Sequence, residues 1–354
     1  MAAREMKKQQ GFSLIELLVA LAVFSVVSGA AFMLYTQHMR VYSVQQDLSS
    51  LNLNLRNAMT LMQMDMSNAG TGVFVGANIP NWPIGVTVQN SAPGGGCFDP
   101  ATNTYTAACF DTLNIVAAES TAVPVNPQDG VGGCVSTTLG SIFVQPGFGL
   151  TTAQTAAQFQ AGDQILLVTG NGALMTSVVL TGPGAVVGGL VRLAHTPTNA
   201  DGTGLDPLFI TNNPNVRLGS LYCNTDWVIK LRPVTYRVNT AAANNPVLQR
   251  VQGASVDNVA DQIIGFKVGA TLWNGAVTSS EEYNYDASSY NTDGIAGSSA
   301  FDYTLIRSVR VSLIGRTTPN PDPRYTFRNT FDNGPYQILG ASVVVNPRNL
   351  SMRD

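Results

Sequence analysis

The chain has 354 residues, enough for roughly two domains of ordinary size and for a sizeable core. Only 41 of them are charged (19 Lys and Arg, 22 Asp and Glu), 12% of the chain, against about 25% in an average soluble domain. With no Lys/Arg-rich run, this excludes a strongly basic nucleic-acid binder. A 45% hydrophobic content excludes a disordered chain, and 34 Gly and 18 Pro without a fixed period exclude collagen.

The first predicted element is an apolar helix. Residues 12–35 read FSLIELLVALAVFSVVSGAAFMLY, with Glu16 as the single charge, and at 1.5 Å per residue such a helix is about 36 Å long, enough to span a bilayer. Arg4, Lys7 and Lys8 precede it, and Lys7 and Lys8 are half of the four lysines of the chain, the others being Lys230 and Lys267. The positive-inside rule keeps residues 1–11 in the cytoplasm and sends the remainder out. A cleavable signal peptide is the competing reading: Ser28, Gly29, Ala30 and Ala31 supply small residues, but the apolar run is longer than the usual 7 to 15 residues.

No Pro occurs from Phe12 to Gly70, and Leu48, Leu51, Leu55, Met59, Met62 and Met66 recur every three or four positions. The helix is therefore expected to continue as an amphipathic half over residues 36–70, about 57 residues in all, and to stop at Asn68, Ala69 and Gly70. The Met-rich stripe reads as core packing.

Beyond residue 70, short apolar runs alternate with Gly, Pro, Asn and Asp clusters, the pattern of a β-rich body over 71–354. Strands are expected near Leu113–Ala118, Gln164–Thr169, Leu174–Leu180, Val186–Leu193, Trp227–Val238, Val247–Val251, Ile263–Val268, Tyr303–Ile314 and Ile338–Val345, with a short helix at Thr152–Phe159. Long polar loops cover 81–105, 199–215 and 278–299. The fold class is thus α+β: one long N-terminal helix on a large β-rich domain.

Four cysteines, Cys97, Cys109, Cys134 and Cys223, lie in the part read as exported, where disulfides form. Three connectivities exist. Cys97 with Cys109 would close a Gly-rich loop, and Cys134 with Cys223 would join distant segments. Zinc fits poorly, because no C-x-x-C spacing occurs and the two histidines are His38, on the helix, and His195. No H-E-x-x-H, G-x-S-x-G, Walker A or G-x-G-x-x-G motif is present, so no catalytic site and no cofactor is expected, and His195 reads as a surface or turn residue. Asp201 and Asp206, or Asp286 with Asp293, offer oxygen ligands to Ca2+ but without EF-hand spacing. Arg307, Arg310 and Arg316 form a row able to meet acidic loops of a partner or simply solvent.

The start KKQQG followed by FSLIELLVALAVFS resembles the class III signal of type IV pilins and type II secretion pseudopilins. The resemblance implies cleavage between Gly11 and Phe12 by a prepilin peptidase, N-methylation of Phe12, and retention of the helix in the inner membrane as an assembly handle. Removing residues 1–11 takes away three cations and one anion, so 19 becomes 16, 22 becomes 21, and the formal charge is −5. An intramembrane carboxylate costs on the order of 3 kcal/mol. Taken alone, Glu16 would snorkel to the headgroups; the resemblance implies instead that it meets the N-terminal amine of a neighbouring subunit and sets the axial register.

Further strings resemble the PilW and pseudopilin J group in order: MQMDMSNAG, DTLNI, GDQILLV, PVTYRV, VLQR, VDNVADQIIGFKV, LIRSVRVSLIGRT, RYTFRNTF and ASVVVNPRN. They imply a PilW-like minor pilin that helps to start or cap a type IV pilus, with other minor pilins, the major pilin and a tip adhesin as partners. A type II secretion pseudopilin is the alternative within the class. A membrane-anchored periplasmic enzyme or carbohydrate binder is the alternative outside it.

Overall fold

A computed structural model describes residues 13–70, 85–89, 98–99, 104–105, 110–119, 122–127, 133–135, 140–170, 175–195, 222–242, 245–272, 306–319 and 325–347. The chain divides into two units, Met1–Leu51 and Asn52–Asp354. One helix, α1 (Leu14–Ser67, 54 residues), contributes to both. In the first unit every residue from Ser13 to Tyr35 is exposed, including the Leu, Val and Phe side chains that no soluble surface would collect. In the second unit Leu55, Ala58, Met59, Met62, Met66 and Ala69 are buried, the three-and-four spacing of a single helix face. The helix stops where the sequence predicts. Ala69 donates to the Met66 carbonyl (3.1 Å), Gly70 takes φ 71°, and its N–H reaches the Val116 carbonyl at 2.9 Å.

The β-rich body follows as β1 (Val86–Gln89), β2 (Phe98–Asp99), β3 (Thr104–Tyr105), β4 (Thr112–Ala118), β5 (Val123–Pro124), β6 (Ser141–Val144), the short helix α2 (Thr152–Ala157), β7 (Gln164–Val168), β8 (Met175–Val179), β9 (Ala185–Val187), β10 (Leu190–Ala194), β11 (Trp227–Asn239), β12 (Val247–Gln252), β13 (Ser255–Ala260), β14 (Ile263–Leu272), β15 (Ile306–Arg316) and β16 (Ile338–Val345). All described pairings are antiparallel. The main sheet is built on β11, whose first residues pair with β5 and β7 and whose last residues pair with β4 and β12. β1 lies outside β4, β8 outside β7, and β13 outside β12.

Pro233 sits inside this central strand, where a missing N–H would ordinarily break a ladder. Its partner Val116 spends its own N–H on Gly85 (2.8 Å) and its carbonyl on Gly70, so the Pro233–Val116 pair is a non-hydrogen-bonded one. The Pro233 nitrogen therefore faces the opposite edge. There β7 pairing has ended at Lys230 and β12 pairing begins only at Thr235.

A second sheet, in the order β6–β10–β9, packs with α2 over the main sheet, and Ile142, Val144, Phe159, Ile165, Leu167 and Val228 belong to the resulting core. α2 opens with a capping box of Thr151 and Gln154. The third sheet, β14–β15–β16, buries Phe266, Val268, Val309, Val311 and Leu313 on one face. Asp111 pins its outer strand: its N–H donates to the Phe266 carbonyl (3.1 Å), and its carboxylate accepts from the Val268 N–H (2.8 Å) and Lys267 Nζ (2.9 Å). The other body lysine is also structural. Lys230 Nζ meets Asp163 (3.0 Å), Glu119 (3.4 Å) and the Gln158 carbonyl at the end of α2 (3.0 Å).

The α+β architecture, long helix then β-rich domain, is the one expected. Several elements differ in detail. Val186–Leu193 is two strands, β9 and β10, joined by Gly188 and Gly189 at φ 58° and 81°, values that make a tight hairpin turn and that side chains other than glycine resist. β13, β5, β6, β1 and the β2–β3 hairpin are additional, and α2 ends at Ala157 rather than Phe159.

Candidate functional site

Elements from the start of α1 carry the sequence-predicted site. Ser13 precedes the first helical residue; its hydroxyl oxygen accepts from the Glu16 N–H (3.3 Å), and Glu16 Oε2 accepts from the Ser13 N–H (2.9 Å) and the Ser13 hydroxyl (3.1 Å). This is a reciprocal capping box, which satisfies amides that a helix N-terminus otherwise leaves unpaired. It also holds the carboxylate at the positive end of the helix dipole. Ser13 is absent from the sequence-derived site, although Ser-x-x-Glu ahead of an apolar run was there to be read. Gly11 and Phe12 lie outside the described residues.

A second polar constellation ties the last turn of α1 to the sheet. Asp65, buried on the helix, accepts from Tyr236 Oη (2.7 Å) and Arg250 Nε (2.8 Å). Tyr236 and Arg250 are direct cross-strand partners on β11 and β12, so their side chains leave the same face of the sheet. Burial, and then the hydrogen bond to Asp65, pushes the Tyr236 hydroxyl well above its ordinary value; the same carboxylate raises Arg250. Asp65 is the acidic residue of the MQMDMSNAG string.

The remaining candidates fare differently. Cys134 and Cys223 form a disulfide across an isolated antiparallel bridge. Asp226 turns that loop by accepting from the Gly170 and Cys223 amides. Cys97, Cys109, Asp201, Asp206, Asp286 and Asp293 fall outside the described residues, and no cluster of metal-ligating side chains occurs among the described ones. His38 is exposed on α1. His195 corrects the surface reading: it is buried, because its backbone extends β10 and donates to the Gly140 carbonyl at 2.8 Å.

Arg316 corrects the strand-edge reading in the same way. Only 1% exposed, it donates from Nε to Gln262 (2.7 Å) and lies over the rings of Tyr336 (4.7 Å) and Tyr105 (5.4 Å). Both tyrosine hydroxyls donate to Asp332. Burial raises both hydroxyls and works against the Asp332 carboxylate, but the hydrogen bonds from Tyr105, Tyr336, Asn329 and Gly334 bring Asp332 below the usual range. Gly334 is required here, since a Cβ would overlap the Tyr336 ring.

Comparison with known proteins bears on the first of these constellations. Residues 6–32 match a family described as the prokaryotic N-terminal methylation motif. The chain carries that motif. It includes Gly11, Phe12, Ser13 and Glu16 and ends well inside α1. No curated protein matches the chain. Among solved structures, a type IV-like pilin from Thermus thermophilus is similar at 11% identity, covering 56% of this chain and 91% of that one, with a TM-score of 0.20. The methylation motif thus falls on the exposed apolar stretch of α1, which is long and apolar enough to cross a membrane.

Proposed function

We propose that this protein is a minor pilin of PilW type, inserted in the inner membrane by α1 with residues 1–11 in the cytoplasm, cut between Gly11 and Phe12, methylated at Phe12, and built with other pilin-like subunits into the start or cap of a type IV pilus. What carries the reading is the methylation motif lying over a helix whose residues Ser13–Tyr35 are all exposed and apolar but for a few positions. A surface of that kind is stable only in lipid or against similar helices. Glu16 is then the one charge to be matched within it. The capping box with Ser13 compensates it while the subunit is alone, and the N-terminal amine of a neighbour takes over on assembly, which sets the stagger between helices. The work is packing and recognition, not catalysis.

The test is to express the wild-type chain and Glu16→Ala with the cognate prepilin peptidase and read both the mature N-terminus and the incorporation. A mature protein that begins at N-methylated Phe12 in both, with incorporation lost in Glu16→Ala, is expected. Cleavage near Ala30 or Ala31 would overturn the assignment, and normal incorporation of the variant would remove the register role.

A further inference from the structure

The two outer strands of the β14–β15–β16 sheet are built in opposite ways. β14 carries the devices that close a sheet edge: its pairing with β15 shifts register near both ends, Lys267 lies within it, and Asp111 binds the outward Phe266 carbonyl and Val268 N–H. β16 carries none of them. Its eight residues, ILGASVVV, hold no charge and no Pro, and their register on β15 runs without a shift. Thr317 donates to the Gln337 carbonyl (2.9 Å), whereas Arg316 donates away from β16, to the Gln262 carbonyl (2.9 Å). By the alternation of an antiparallel ladder, Leu339, Ala341, Val343 and Val345 therefore bond to β15, while Ile338, Gly340, Ser342 and Val344 turn N–H and C=O to the outer edge. The 3.1 Å contact between the Ser312 and Ser342 hydroxyls fits this, because side chains approach most closely in a non-hydrogen-bonded pair. Gly340, Ser342 and Val344 are exposed, and no described residue bonds to the outward groups.

A row of unpaired backbone groups selects its occupant by geometry, since another extended strand offers donors and acceptors at the same spacing. We infer that the outer edge of β16 pairs with the same edge of a second copy of this chain, antiparallel about a two-fold axis at Ala341, joining two three-stranded sheets into one of six strands. The axis lies at Ala341 because that register engages all four outward residues of each copy. The strand is self-complementary in it. Ile338 comes opposite Val344 of the second copy, Leu339 opposite Val343, Gly340 opposite Ser342, and Ala341 opposite itself, so large apolar meets large apolar and small meets small. Leu339, Ala341 and Val343 are half-buried on the face that buries Val309, Val311 and Leu313, and this core face continues across the axis. Like charges do not oppose one another, because Arg310 and Arg316, which pair with β16, stand one strand back on β15. A contact between strand edges is small, so the dimer is concentration-dependent.

The inference goes beyond the pilin reading and does not depend on it. It is tested with the full chain in detergent micelles. Ala341 would face its own copy in a non-hydrogen-bonded pair, where Cβ atoms approach to about 4.5–5.5 Å. Ala341→Cys should therefore oxidise to a disulfide-linked dimer, and Val344→Cys, which faces Ile338 of the second copy, should not. Sedimentation should show a wild-type dimer. Ser342→Pro removes one edge N–H per copy without touching the bonds to β15, and should weaken the dimer about tenfold with unchanged circular dichroism. Val344→Lys, which sets a cation against an apolar side chain, should weaken it through the side chain instead. A monomeric wild type, equal cross-linking from 341 and 344, or a dimer that both Ser342→Pro and Val344→Lys leave unchanged overturns the inference. So does protection of the Gly340, Ser342 and Val344 amides from hydrogen exchange at every concentration, since the chain would then cover its own edge.

Discussion

Asp65 is one carboxylate on a helix face otherwise made of Leu, Ala and Met. Apolar Met side chains adapt to many positions along a sheet, so they supply burial without a unique register. A buried ion pair supplies the opposite: little net stability but a single acceptable placement. With Arg250 at 2.8 Å and Tyr236 at 2.7 Å, Asp65 fixes where the last turns of α1 lie on β11 and β12. Asp65→Ala should therefore cost about 3–5 kcal/mol, because it strands the Arg250 guanidinium and the Tyr236 hydroxyl in a buried site. Asp65→Leu combined with Arg250→Leu should recover much of that loss. Urea unfolding of the three proteins checks it, and a single-variant loss below about 1 kcal/mol would remove Asp65 from this role.

At the level of elements, long periodic segments were legible and short ones were not. The stop of α1 at Gly70 and the bounds of β16 agree with the sequence reading, since apolar periodicity over many residues and a glycine in the left-handed region are local signals. β13 was missed because four of its six residues are exposed, which leaves no alternation of buried and exposed positions to see. β9 and β10 were merged because the apolar residues around Gly188–Gly189 read as one run. The β2–β3 hairpin lies inside a stretch read as loop, and it is held by Tyr105 reaching Asp332, 227 residues away. The Cys134–Cys223 bond likewise spans 89 positions, across the isolated bridge that the two cysteines themselves form. Replacing both cysteines by Ser should lower the unfolding free energy by roughly 4–5 kcal/mol on loop-closure grounds. Denaturant melts of the double variant against wild type read this directly, and equal midpoints would mean that the surrounding strands alone hold the two loops.

For the whole molecule, charged residues are few, at 12% of the chain, and several of the described ones join layers. Tyr236 joins α1 to the main sheet, while Tyr105 and Tyr336 join a hairpin and a loop through Asp332 and Arg316. All three hydroxyls are pushed above their ordinary value of about 10, first by burial and then by carboxylate partners. In the unfolded chain they ionise first, so the stability they contribute is complete below about pH 10 and is lost as pH rises beyond it. Followed by tyrosinate absorbance and circular dichroism together, at least these three of the eleven tyrosines should titrate only as the fold is lost. Titration of all eleven with an unchanged β signal would contradict the buried hydroxyl network.

Sequence by itself determined the match of residues 6–32 to the methylation motif, the long helix and the β-rich character of the rest, because each rests on neighbouring residues and on a hydropathy period that the chain states directly. Only the tertiary structure decided that Asp65 meets Arg250, that Arg316 and His195 are interior, that Cys134 finds Cys223, and that Phe148 stays exposed just ahead of α2. Those outcomes depend on which segments meet across separations that run from 54 residues (Arg316 and Gln262) to 185 (Asp65 and Arg250), and the energy of such pairing lies in contacts between side chains that no local pattern couples.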